Sequence, residues 1–288
     1  MVSRLGRIIG LLALAALLSA CSAIKLGYNN IDDVAYWWLD GYVDFGDEQS
    51  TRVREDLARL HRWHRAQELP HLVTLLQGIE RIAPNDITAA QACAVVDQVN
   101  LRIDALAERA EPAVVTLAAG LGPDQLQHLE RKYQKNNADY RKDWIRPTPA
   151  EQAEKRFQQF VERSEMIYGK LDEPQRAVLR RQAAQSIFDP ARALAERQRR
   201  QADILQTLRK VASPSLPLAE ARSLMRGLFD RSRQPPDPAA RAYVQSLIDE
   251  GCRNLALLHN STSAGQRDAA VRRLRAYQRE LRELAAGN

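Results

Sequence analysis

Glycine and cysteine are scarce in this chain, and no segment alternates strictly between apolar and polar residues. The thirteen glycines are scattered. They form neither a phosphate-cradling loop nor a dinucleotide fingerprint, and no G-x-S-x-G elbow or H-E-x-x-H pair appears. The lack of alternation argues against half-buried strands. After residue 20 no run of eighteen apolar residues occurs, so no later segment is long and apolar enough to cross a membrane as a helix. Excess charge of one sign is also missing. The formal balance is +6, and it falls to +4 once Arg4 and Arg7 are set aside, leaving 40 basic against 36 acidic residues. That is mild for this length, and no nucleic-acid recognition motif accompanies it.

What is abundant favours helix: Ala, Leu, Arg and Gln. Apolar residues recur at helical spacing along most of the chain. Examples are Leu72, Leu75, Leu76 and Ile79; Val95, Val96, Val99 and Ile103; and Val271, Leu274, Tyr277 and Leu281. Breaks fall at "PND" 84–86, "GLGP" 120–123, "RPTP" 146–149, "DP" 189–190, "SPSLP" 213–217 and "RQPPDP" 233–238. Pro70 and Pro112 sit inside periodic runs and are read as kinks. The expectation is an all-α protein: an elongated antiparallel bundle of about nine or ten helices over residues 31–288, with a point of subdivision near 212–218 left open.

The N-terminus is punctuated differently. Arg4 and Arg7 precede an apolar run from Ile8 to Leu18, too short to span a bilayer and fitting a signal-peptide core. It ends in "LLSAC" (residues 17–21). This resembles the lipobox of bacterial lipoproteins, which implies removal of residues 1–20, lipidation of Cys21 and a tether over 21–30. Asp after the cysteine usually retains such proteins at the inner membrane. Ser22 stands here, implying the periplasmic face of the outer membrane. Cys93 and Cys252 remain. In an oxidising compartment they are a disulfide candidate, the alternative being two buried free thiols.

"LGYNNIDDVAYWWLDGYVDF" (26–45) holds six of the seventeen aromatics. Asn30 is placed to cap a helix from Ile31. On that helix Ile31, Ala35, Trp38, Tyr42 and Phe45 share one face, and Asp33, Trp37, Asp40 and Asp44 the opposite one. Trp38 is therefore expected in the core and Trp37 in solvent. One reading has the acidic stripe meeting water or Arg side chains of the next helix. The other has Trp37, Asp33, Asp40 and Asp44 receiving a basic or aromatic partner. Four carboxylates in one zone weigh against contact with an anionic membrane surface.

The block itself, with its Tyr-Asn-Asn, Tyr-Trp-Trp-Leu-Asp and Tyr-Val-Asp-Phe pieces soon after a lipobox cysteine, resembles a family of Gram-negative lipoproteins of unknown function. That resemblance covers about residues 18–70 and implies location and helical architecture but no activity.

A second device recurs: "FGDEQ" 45–49, "ITAAQ" 87–91, "LGPDQ" 121–125, "LDEPQ" 171–175 and, less closely, "TSAGQ" 262–266. Its physical reading is a helix start, with Gln at N3 reaching back to the cap N–H. It is also similar to the Leu-Thr-x-x-Gln hallmark of periplasmic helical chaperones and stress-signalling inhibitors of the Spy and CpxP kind. Only "ITAAQ" keeps the Thr.

Reactive groups are few. In "HRWHRAQELPH" His61 and His64 are spaced for one helix face, Glu68 follows a turn later and Pro70 leaves the direction of His71 open; all read as solvated or core-edge residues. "RKYQKNNADYRKDWIR" (131–146) interleaves cations with Tyr133, Tyr140 and Trp144. It is a solvated amphipathic face or a site for anionic polymers. No catalytic residue, metal, cofactor, nucleic acid or small-molecule substrate is assigned. The functional expectation is a non-enzymatic, lipid-anchored module that binds an envelope partner or maintains the envelope, with a chaperone-like or stress-signalling protein as the alternative.

Overall fold

The computed structural model describes residues 25–287; Cys21 and the segment 1–20 lie outside them. The described residues contain eleven α-helices and no strand. After a helical turn over 25–29 these are α1 (Ile31–Val43), α2 (Asp47–Trp63), α3 (Leu69–Ile82), α4 (Ala89–Ala119), α5 (Pro123–Tyr140), α6 (Pro149–Tyr168), α7 (Glu173–Gln185), α8 (Pro190–Val211), α9 (Leu218–Arg233), α10 (Pro238–Asn260) and α11 (Ala264–Ala285). Nine or ten were expected. Short turns raise the count: Asp44 is left-handed with φ 60° at the end of α1, and Gly169 takes φ 77° at the end of α6.

The caps follow the sequence. Thr88, Thr148, Asp172, Asp189, Asp237 and Ser263 each accept a bond from a first-turn N–H. Pro123, Pro149, Pro190 and Pro238 occupy the first helical position, where no N–H is needed. Pro112 lies within α4 without ending it. Before Pro70 the helix widens into a π segment, His64–Glu68, in which the Leu69 N–H reaches back to the His64 carbonyl. The missing N–H of Pro70 and the bulk of its ring are accommodated by that wider turn. α2, the π segment and α3 thus run on from Asp47 to Ile82 as one rod, about 54 Å along its axis.

Two halves share one plan. In the first, α1 pairs with α2, α2 with α4, and α1 with α5. In the second, α6 pairs with α7, α7 with α10, and α6 with α11. Each half lends a helix to the other: α3 packs on α11, and α8 packs on α5. The equivalent helices α4 and α10 meet between them. There Cys93 and Cys252 are bonded, with Cα atoms 5.4 Å apart. α9 has no counterpart and packs on α8 and α4. The break at 213–217 is thus the connection between two packed helices, and the plan repeats across 141–148 instead.

Each half has its own apolar core. One gathers Val115, Leu126, Leu129, Leu205, Val211 and Met225 from α4, α5, α8 and α9. The other gathers Phe157, Val161, Leu171, Leu179, Leu258 and Ala270 around α6, α7, α10 and α11.

The recurring Gln supplies the joints. In all five copies its Oε1 accepts from the cap N–H, at 2.8–3.2 Å. In four copies the side-chain amide also crosses to another turn. Gln49 and Gln125 exchange bonds at 3.3 and 2.7 Å, and they donate to the carbonyls of Gly120 and Asp44. Gln175 and Gln266 exchange bonds at 2.7 and 2.9 Å, and they donate to the carbonyls of Ser261 and Lys170. The two turns of each half are thereby locked to each other. Tyr42 and Tyr168, seven residues before Gln49 and Gln175, are likewise equivalent.

Candidate functional site

The N-terminal edge carries the features that the core does not explain. α1 has no fully buried residue. Its inward face is Asp32, Ala35, Tyr36, Leu39 and Val43, each partly covered. That face meets a polar strip on α2. The Tyr36 hydroxyl donates to Ser50 Oγ at 2.9 Å, and the Arg54 guanidinium lies 3.5 Å over the Tyr36 ring. Asp32 stands 3.6 Å from His61.

Trp38 is the correction this forces. Apolar spacing predicts it in the core, but it is 56% exposed and leans on Tyr42, with ring centroids 4.7 Å apart and planes inclined at 45°. The polar partners offered by α2 rotate the helix so that Tyr36 turns inward and Trp38 outward, and the left-handed Asp44 takes Phe45 off the helix altogether. Trp37 is solvated as expected, at 76% exposure. Ile31, Val34, Trp37 and Trp38 consequently form one outward apolar face. Both Trp37→Ala and Trp38→Ala are expected to change the unfolding free energy by less than about 1 kcal/mol, as exposed substitutions usually do. Urea titration of each variant checks this, and a core-sized loss at Trp38 would contradict the exposed placement.

The acidic stripe beside Trp37 meets the next helix and solvent, the first of the two readings its spacing allowed. Asp33 pairs with Arg54 at 3.2 Å, and Asp40 Oδ1 accepts from the Phe45 N–H at 2.9 Å. Asp44 alone of the three is left to solvent without a side-chain partner among the described residues. α5 lies alongside. Asn136 donates to the Tyr42 hydroxyl at 2.7 Å, and the Lys132 ammonium lies 5.4 Å from the Tyr42 ring. The basic–aromatic stretch thus begins beside α1. Further along, Lys155 lies 4.5 Å from the Trp144 ring, and Arg197 5.4 Å from the ring of Tyr140.

A clamp that the sequence did not reveal fixes the segment ahead of α1. The Tyr28 hydroxyl lies 2.9 Å from His64 Nδ1, and its ring packs edge-on to His61 at 4.9 Å. Arg65 donates to Asn29 Oδ1 at 2.7 Å and to the Leu284 carbonyl at 3.2 Å. Lys25 pairs with Glu283. Two blocks noticed separately, Tyr-Asn-Asn and His-Arg-Trp-His-Arg, are therefore two sides of one contact. The Tyr-Asn-Asn piece and the His-x-x-His spacing, 33 residues apart, were its only trace in the sequence.

Burial pushes the Tyr28 hydroxyl up to about 12, so it stays a donor. Burial pulls His64 below the usual imidazole range against the opposing Glu68 carboxylate, and it pulls His61 down against Asp32. His259 is similarly depressed by burial, against the bond from its Nε2 to the Asn85 carbonyl; its Nδ1 lies 2.9 Å from the Tyr168 hydroxyl. All three hold their protons more weakly folded than unfolded, where histidine titrates near ~6.5. Their contribution is complete above that value and is lost as pH falls through the folded values. Stability measured by urea titration is therefore expected to decline from pH 7 toward pH 5. A rise over that interval would contradict the burial of these rings.

Glu68 is buried on the π segment, with Arg102 at 3.6 Å. His71 is exposed and lines a cleft of about 390 Å³ between α3 and α4. No group of three His, Cys, Asp or Glu residues among the described residues converges as a metal site.

Residues 41–221 match a family of unknown function (DUF6279). The chain belongs to that family. The DUF6279 region starts within α1 and ends in α9. It contains the Gln49–Gln125 joint entire but only Gln175 of the second joint. No curated protein and no solved structure matches the chain.

Proposed function

We propose that this DUF6279 member is a non-enzymatic lipoprotein, anchored through Cys21 to the periplasmic face of the outer membrane and acting there as a binding or envelope-maintenance module. The observation that carries this reading is the placement of the clamp. The first described residues, just four beyond Cys21, are pinned to the bundle through Lys25, Tyr28 and Asn29. A lipid on Cys21 would thus hold the whole body at a fixed attitude instead of on a loose leash. The lipobox, the signal-like segment and Ser22 support the location, and a bridged Cys93–Cys252 pair suits an oxidising compartment.

Cys21→Ser is expected to move the protein from the membrane fraction to the soluble periplasm or to leave it unprocessed. Wild-type fractionation and acylation in that variant would contradict the anchor.

A chaperone-like or stress-signalling role is the second reading. It is favoured by the Gln-braced turns and by Val99, Leu101 and Ile103 exposed along α4. Suppression of client aggregation at substoichiometric ratios supports it, and a stoichiometric complex with one envelope protein supports the first.

A further inference from the structure

The outward face of α1 has no partner among the described residues, and its composition is unusual for a solvated surface. Ile31, Val34, Trp37 and Trp38 are 43%, 54%, 76% and 56% exposed. Gly41 continues the face one turn on, and Leu26 is exposed in the turn before it. No charged residue falls within that strip.

We propose that this face lies in the headgroup–acyl boundary of the phospholipid leaflet that carries the lipid anchor. The inference rests on the anchored reading given above. Four observations point to a bilayer. First, tryptophan with aliphatic neighbours is the side-chain set that settles at a membrane interface, and a short amphipathic helix lying flat is the usual carrier. Second, three of the four carboxylates that would oppose an anionic surface are engaged elsewhere: Asp32 faces His61, Asp33 pairs with Arg54, and Asp40 closes the end of its own helix, while Asp44, the free one, stands at the left-handed residue past the helix end. Third, a cation borders the strip. The Lys132 ammonium sits 3.7 Å from where a Gly41 Cβ would be, within reach of lipid phosphate. Fourth, the tether is short. Four residues from Cys21 to Lys25 span at most about 14 Å, and the clamp prevents α1 from swinging away.

A second copy of the chain fits the face less well. Even with Leu26, Ile31 and Val34 added to the two indoles at their observed exposures, the strip stays below the ~800 Å² that a standard interface takes from each partner.

The test uses the purified full-length protein in vesicles of phosphatidylethanolamine and phosphatidylglycerol, three to one, with lipids brominated near the headgroup end of their chains. Tryptophan emission is compared between wild type and the Trp37→Ser, Trp38→Ser double variant, whose surface changes leave the core untouched. Mass spectrometry of Cys21 is read on the same samples. The expected result is a blue-shifted wild-type emission that brominated lipid quenches, with the quenched component lost in the double variant. Unquenched wild-type emission overturns the docking face. If Cys21 is acylated in that sample, the anchor stands and only the face falls. Quenching of a chain without acyl groups supports the face while removing the anchor. Emission that shifts with protein concentration and is not quenched assigns the face to a second copy and likewise overturns the proposal.

Discussion

Replacing Cys93 and Cys252 together with alanine is expected to lower the unfolding free energy by about 2–5 kcal/mol, the range for loss of a native disulfide. The bond closes a loop with a sequence separation of 159 residues. In the chain-entropy account, cross-linking a loop of that size restricts the unfolded ensemble by about 5 kcal/mol, and native strain or residual denatured structure reduces the figure. The position adds a second reason. α4 and α10 are the pair through which the two halves meet, so the bond restrains their docking as well as the chain. Guanidinium titration of the oxidised wild type and the double variant measures the difference. Equal midpoints with equal slopes would show that the bridge contributes nothing to stability. Thiol labelling without reductant should also find both cysteines blocked in the purified protein.

The second large effect is expected at Gln175. Its side chain is 2% exposed. It accepts from the Asp172 N–H, donates to the Ser261 carbonyl and exchanges bonds with Gln266. Truncation to alanine strands two of those groups and opens a void, so a loss of about 2–4 kcal/mol is expected. The Gln175→Ala, Gln266→Ala double variant should lose less than the sum of the singles, because the second truncation removes a group already left without its partner. A coupling of about 1–2 kcal/mol in that cycle identifies the reciprocal pair. Additive losses would reduce Gln175 to an ordinary cap. The same cycle at Gln49 and Gln125, which are less buried, should give the same sign and a smaller value.

Much of the architecture was legible because helices announce themselves twice. The stripe of Leu72, Leu75, Leu76 and Ile79 gave the period of α3, and Pro123, Pro149, Pro190 and Pro238 marked where helices begin. What stayed hidden was the destination of groups with more than one use. The N3 position of Gln125 predicts its bond to the Gly122 N–H. The free end of the amide finds Gln49, 76 residues away, and nothing local specifies that. The same limit misplaced α1. Counting apolar residues assumes that the neighbour is apolar, whereas α2 presents Ser50, Arg54 and His61, so Tyr36 and Asp32 turned inward and Trp38 outward. Of the acidic stripe, Asp33 meets an Arg of the next helix, as one reading of the spacing had it, whereas the bond from the Phe45 N–H to Asp40 depends on the left-handed turn at Asp44, which charge spacing alone cannot show.

The clamp on the first residues has a consequence for the order of events during synthesis. Tyr28 and Asn29 emerge early, and His64 and Arg65 follow soon after. The Leu284 carbonyl and Glu283, which complete the clamp through Arg65 and Lys25, belong to the last turn of α11. The clamp on the opening segment is therefore complete only when nearly the whole of this sequence has been delivered. Until then the opening turn is held by His64 and Arg65 alone.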